Sequence, residues 1–223
     1  MSEALSEARR LVASRDWLGA LALLRGAEPE EDNRFEMAYL FGICYTRLGE
    51  WDDALLYLEQ VVTGALDPVR ERQCRMALAY VYALTARHKL AEYELARLRD
   101  SGYETVQVYS FLAYTAWAQG RPGDSLRWYG KALKLDPENA NALNGMGYIL
   151  ACEGMDGARA LTLCRKALDK APDNPAYRDS LAWAYFKLGF LDEARDHIGR
   201  ALAQRPSAPE IREHAQAIKL ATR

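Results

Sequence analysis

Between Val106 and Leu135 the apolar residues follow a helical period twice over. Tyr109, Leu112 and Ala116 share one helical face; beyond Gly120-Arg121-Pro122-Gly123, Leu126, Tyr129 and Leu133 share another. Glycine permits the left-handed residue that ends a helix, so this stretch predicts two helices joined by a tight turn. The same punctuation returns at Gly49-Glu50-Trp51-Asp52 and at Gly189-Phe190-Leu191-Asp192. The pattern predicts helix pairs along the chain.

Three stretches end alike, KALKLDPEN, KALDKAPDN and RALAQRPSA, and their prolines Pro137, Pro172 and Pro206 stand 35 and 34 residues apart. A fixed period of this size marks an array of small structural units. Followed outward, one frame recurs six times, starting at Met1, Phe35, Arg72, Val106, Ala140 and Pro175, with three extra residues before the third unit and one inside the fifth. The expected units are residues 1–34, 35–68, 72–105, 106–139, 140–174 and 175–208. Numbered within a unit, position 8 holds Ala8, Gly42, Ala79, Ala113, Gly147 and Ala182. Position 20 holds Ala20, Ala54, Ala91, Ser125, Ala160 and Ala194. Small residues belong where two helices approach closely, and these two positions predict that contact. Position 27 is Ala27, Val61, Leu98, Ala132, Ala167 and Ala201, bulkier in the second and third units. The proline that closes a unit lacks an N–H for the next helical hydrogen bond, which stops the second helix. The third unit has no closing proline, and Ala86-Arg87 stands where the others have a glycine turn.

This frame resembles the tetratricopeptide repeat family, whose pattern runs W-x2-L-G-x2-Y, then A-x3-F, A and P. The resemblance rests on Phe41, Gly42, Tyr45 and Ala54 in the second unit, and on Tyr109, Leu112, Ala113 and Pro137 in the fourth. Met146, Gly147, Leu150, Ala167 and Pro172 carry it in the fifth, with Leu181, Ala182, Tyr185, Ala194, Ala201 and Pro206 in the sixth. It covers about residues 1 to 208 and implies an all-α, right-handed solenoid of six helix-turn-helix units. Residues 209–223, PEIREHAQAIKLATR, then predict a capping helix. Pro209 suits its start, Ile211, Ala215, Ile218 and Thr222 face inward, and Arg212, Glu213, Gln216 and Lys219 face water.

In this family the first helices of the units line a concave groove through positions 2, 5, 9, 12 and 13. Position 9 reads Arg9, Ile43, Tyr80, Tyr114, Tyr148 and Trp183, an aromatic ring in four consecutive units. Position 12 adds Trp117 and Phe186; position 5 adds Tyr39, Met76, Asn144 and Asp179; position 2 adds Gln73, Gln107 and Asn141. Core is accounted for by positions 7, 8, 11, 20, 24 and 27, which leaves the position 9 rings facing outward. Rings with two side-chain torsions give large contact area at low entropic cost. Asn141 and Asn144 offer both donor and acceptor to the main chain of an extended ligand. The family's carboxylate clamp, built from groove lysines, arginines and asparagines, is not matched: Leu5, Arg9, Tyr39, Gln73 and Met76 supply one cation. An apolar or amphipathic partner segment is the expected ligand.

Charge and motifs narrow the rest. Twenty-nine basic and 31 acidic residues are spread along 223, a net charge of −2, so no basic stripe awaits nucleic acid. No apolar run approaches the ~20 residues of a membrane span, and MSEALSEARR lacks the basic-then-apolar order of a secretion signal. Cys44, Cys74, Cys152 and Cys164 are widely spaced in apolar helical surroundings, which predicts buried free thiols and a cytoplasmic setting. His88, His197 and His214 are scattered and read as solvated or capping residues. Gly145-Met146-Gly147 has the look of a phosphate loop, but it lies inside a predicted first helix where N–H groups are already bonded. Asp52-Asp53 and Asp192-Glu193 fall at the starts of second helices, against the positive end of the helix dipole. No catalytic signature is present, and no cofactor is expected. The expected function is a non-catalytic adaptor or chaperone for another protein. The competing expectations are a structural subunit or assembly factor of a secretion, pilus or flagellar machine, and an accessory that recruits an enzyme.

Overall fold

The computed structural model describes residues 3–28, 32–64 and 67–221, and divides into two compact units, Met1–Glu104 and Thr105–Arg223. The first unit holds α1 (Glu3–Ala13), α2 (Trp17–Gly26), α3 (Arg34–Leu48), α4 (Trp51–Thr63), α5 (Pro68–Leu84) and α6 (His88–Asp100). The second holds α7 (Val106–Ala118), α8 (Pro122–Leu135), α9 (Ala140–Cys152), α10 (Gly157–Lys170), α11 (Pro175–Lys187), α12 (Leu191–Gln204) and α13 (Pro209–Ala221). Among the described residues all regular structure is helical.

Side-chain caps set many of the starts. The carboxylate of Asp16 accepts from the N–H of Gly19 at 2.9 Å, and that of Asp67 from Val69 at 2.9 Å, each satisfying a donor the helix leaves orphaned. Asn139, Asp156 and Asn174 do the same for α9, α10 and α11. Between paired helices one residue turns left-handed. In the second unit it is Gly120, with φ 71°, and likewise Gly154 and Gly189. The first unit is less regular: Gly49 fills the role once, but Arg15 (φ 66°) and Ala86 (φ 57°) adopt the same region with a side chain. That is where the sequence lacked a glycine turn, and a Cβ in that region clashes with its own carbonyl.

Positions 8 and 20 are buried in every pair. Ala8, Ala79, Ala113 and Ala182 are wholly buried, as are Ala20, Ala54, Ala91, Ser125, Ala160 and Ala194. A Cβ on Gly147 would stand 2.7 Å from the Sγ of Cys164 and 3.0 Å from the carbonyl oxygen of Ala160. Gly147 therefore lets α9 and α10 touch through backbone and thiol, not through a ligand. At position 27, Val61 and Leu98 are accommodated fully buried despite their bulk, whereas Ala27 closes α2 half-buried.

Within each unit the first helices of successive pairs lie side by side. In the first, α1 packs on α3 and α3 on α5; in the second, α7 packs on α9 and α9 on α11. The last helix, α13, packs on both α12 and α11, the seat a further first helix would take. Ile211 and Ile218 are buried beneath it while Arg212, Glu213, Gln216 and Lys219 face water. Thr222, expected on the inner face, lies outside the described residues. No described helix is long and apolar enough to cross a membrane.

Candidate protein-binding face

In the first unit the residues expected to line a groove are tied to their neighbours. Tyr39 is half-buried; its hydroxyl donates to Oε1 of Gln73 at 2.7 Å and the Arg70 guanidinium lies 5.9 Å from its ring centre. Ile43 packs against the unit's core, and Met76 is half-buried. Tyr80 is 42% exposed and meets the edge of Trp51. Beside them Glu36, only 7% exposed, receives Arg9 at 2.5 Å and Arg70 as a second partner. Arg9 therefore spends its charge on a neighbouring helix of the same unit.

The second unit is built differently. Gln107 and Asn141 are exposed, and Tyr114 is 46% exposed. Trp117 sets its edge on Tyr148 with ring centres 6.5 Å apart. Of the four rings expected to face outward, Tyr148 and Trp183 are met by α13. His214 stacks on Trp183 at 4.1 Å with 22° between the planes, and Phe186 meets that indole at 5.1 Å, tilted by 41°. The Nδ1 of His214 lies 2.9 and 3.0 Å from the two carboxylate oxygens of Asp179, and its Nε2 is 3.4 Å from the Tyr148 hydroxyl. Asp179, expected on an open groove wall, is 6% exposed and held by this imidazole. Burial pushes the Tyr148 phenol above its ordinary pKa, so its hydroxyl keeps its proton for a hydrogen bond.

His214 is the residue that sequence reasoning misplaced. Its signal was present: Ile211, His214 and Ile218 are spaced three and four apart, so the imidazole shares the inward face of the cap. Read as solvated or capping, it instead reaches from α13 to Trp183 and Asp179 of α11 and to Tyr148 of α9.

Between α7, α9, α11 and the start of α13 a cavity of ≈ 380 Å³ remains. Tyr114, Trp117 and Tyr148 supply its rings, Asn141 and Asn144 its amides, and Asp179, Glu210, Arg205 and His214 its charged or titratable groups. Tyr129, not foreseen, reaches it from α8; its burial pushes the phenol up to about 12. The ring of Tyr129 also lies where a Cβ on Gly145 would fall, which gives the other glycine of the Gly-x-Gly a packing reason. Asn144 lines the cavity with its Oδ1 buried and without a partner.

The thiols are free, with Cys44, Cys74 and Cys164 buried and Cys152 half-buried. Desolvation raises Cys44 to about 11 and Cys74 and Cys164 to about 12, which keeps them protonated and inert. Among the described residues no three His, Cys, Asp or Glu side chains gather where they could hold a metal ion.

Helix pairs with a small-residue seam, stacked first helix against first helix, define an α-helical repeat protein. Comparison gives the family: three tetratricopeptide repeat models match residues 39–69, 112–175 and 156–218, together more than half of the sequence. The chain belongs to the tetratricopeptide repeat family. A TPR repeat-containing protein of Pseudomonas aeruginosa is 38% identical over 71 residues, 32% of this chain and 12% of that protein. The matched stretch is thus a small part of that relative. Among solved structures, a tetratricopeptide repeat protein from Parabacteroides merdae aligns over 99% of this chain and 86% of its own, at 16% identity and TM-score 0.80. YrrB, a TPR protein with an unusual peptide-binding site, aligns over 82% of this chain and 90% of its own, at 17% identity and TM-score 0.58. Such likeness is one of fold. The tetratricopeptide fold is a scaffold for protein–protein interaction, and this chain has it.

Proposed function

We propose that the chain is a non-catalytic adaptor or chaperone that holds an apolar or amphipathic segment of another protein against the first helices of its second unit. The observation that supports this is the cavity lined by Tyr114, Trp117 and Tyr148, with Asn144, whose buried Oδ1 has no donor, in its wall. Aromatic walls offer apolar contact area, and a buried acceptor without a donor costs about 1–3 kcal/mol until a ligand N–H meets it. Both features favour a peptide over a small polar metabolite. The peptide-binding site named for YrrB agrees with this reading. The catalytic alternative finds little support, since Asp179 and His214 pair with each other and seat α13.

The test is partner capture from native lysate by the wild-type chain and by Tyr114→Ala/Asn141→Ala. Tyr114 is nearly half exposed and Asn141 is exposed, so this pair should leave helix content and melting unchanged. Tyr148 is a poorer choice because it also supports His214. Partners retained equally by both proteins would mean that this face is not the binding face.

A further inference from the structure

The same cavity has a chemistry that selects among partner segments. Tyr114, Trp117 and Tyr148 line it, and an aromatic face carries negative potential at its centre that attracts a cation laid against it. The buried Oδ1 of Asn144 accepts hydrogen bonds and has no donor. Asp179 uses its two oxygens on one imidazole nitrogen, although a carboxylate has about four acceptor sites. Glu210 adds a second carboxylate at the start of α13, against Arg205 as the cavity's guanidinium. An acidic side chain would meet two carboxylates here, and an aliphatic one would leave the Asn144 oxygen without a donor. A guanidinium suits the rings, the amide oxygen and the carboxylates, with Arg205 the like charge it meets: it is planar, stacks on rings, and carries five N–H donors. The cavity, at ≈ 380 Å³, has room for one large side chain.

We propose that this cavity takes the side chain of an arginine from the bound partner segment, laid against Tyr114, Trp117 and Tyr148 and donating to Asn144 and the carboxylates. The proposal rests on the groove reading above and goes beyond it in naming the ligand's chemistry. It is the reverse of a carboxylate clamp, since the protein supplies the acceptors and the partner supplies the cation.

The test uses the full chain, with backbone amides assigned, titrated with Nα-acetyl-arginine N-methylamide and separately with the norleucine and glutamate analogues. The expected result is saturable shifts confined to residues around the cavity for the arginine probe, with the norleucine probe bound about tenfold more weakly. Asn144→Leu and Glu210→Gln should each weaken the arginine probe about fivefold. Glu210 is exposed, so its variant keeps the test meaningful if Asn144→Leu perturbs folding. Equal response to arginine and norleucine, shifts that lie elsewhere, or no saturable response would each overturn the proposal. Should that happen while Tyr114→Ala/Asn141→Ala still loses its partners, the groove reading stands and the arginine assignment alone fails.

Discussion

Among the described residues each unit buries one carboxylate on its first helices, and the two are held by opposite means. Glu36 in the first unit is 7% exposed and lies between the guanidiniums of Arg9 and Arg70. Asp179 in the second is 6% exposed and has a single imidazole, donated by the last helix. Two permanent cations close a surface by charge, because a guanidinium never loses its proton in a protein. One imidazole closes it conditionally, through stacking and a hydrogen bond to one seated helix. One repeat frame spends the same positions on ion pairs and hydrogen bonds between neighbours in one region and lines a cavity with them in the other. Tyr39 meeting Gln73 belongs to the first use, and Asn144, whose Oδ1 has no donor, to the second.

The largest effect should come from breaking cohesion in the first unit. Arg75 and Glu94 pair at 2.6 Å with side chains 11% and 10% exposed, so Arg75→Ala leaves a buried carboxylate without its cation. A loss of about 3–4 kcal/mol is expected in urea unfolding, and Arg75→Met with Glu94→Leu should recover most of it. Next comes the single contact of the second unit. His214→Ala removes the stack on Trp183 and the donor of Asp179, for about 2 kcal/mol, and amide exchange should quicken through α13 while α3 to α6 keep their protection. A uniform change across both units would contradict the local role assigned to His214. The smallest effect has the opposite sign: Ala86→Gly should raise stability by about 0.5–1 kcal/mol, since relief of the left-handed strain exceeds the entropy glycine brings to the unfolded chain. The reverse change, Gly120→Ala, should lower stability by about 1 kcal/mol, which contrasts the two turns directly.

The helix pairs were legible because their cause is local and repeated. A small residue at positions 8 and 20 leaves the same mark in each unit, and the buried alanines carry it without exception at position 20 save for Ser125. The groove residues could be named from the frame, but their surroundings could not. Whether Tyr148 and Trp183 face water depends on where α13 lies, and residues 209–223 fall outside the period. The ion pair of Arg75 with Glu94 spans 19 residues across a turn, and nothing in a helical charge pattern distinguishes it from two solvated charges. The cavity escaped for a similar reason, because Tyr129 of a second helix and Arg205 beyond α12 contribute to it, and neither belongs to the groove positions.

The stack of His214 on Trp183 turns the second unit into its own optical instrument. An indole 4.1 Å from an imidazole reports the polarity and quenching of that contact in its emission. With the other four of the five tryptophans changed to phenylalanine, the fluorescence of Trp183 would record whether the last helix is seated, in real time and without an attached dye. A partner that seats beside α13 would leave that signal nearly constant, and one that displaces it would shift the emission to the red.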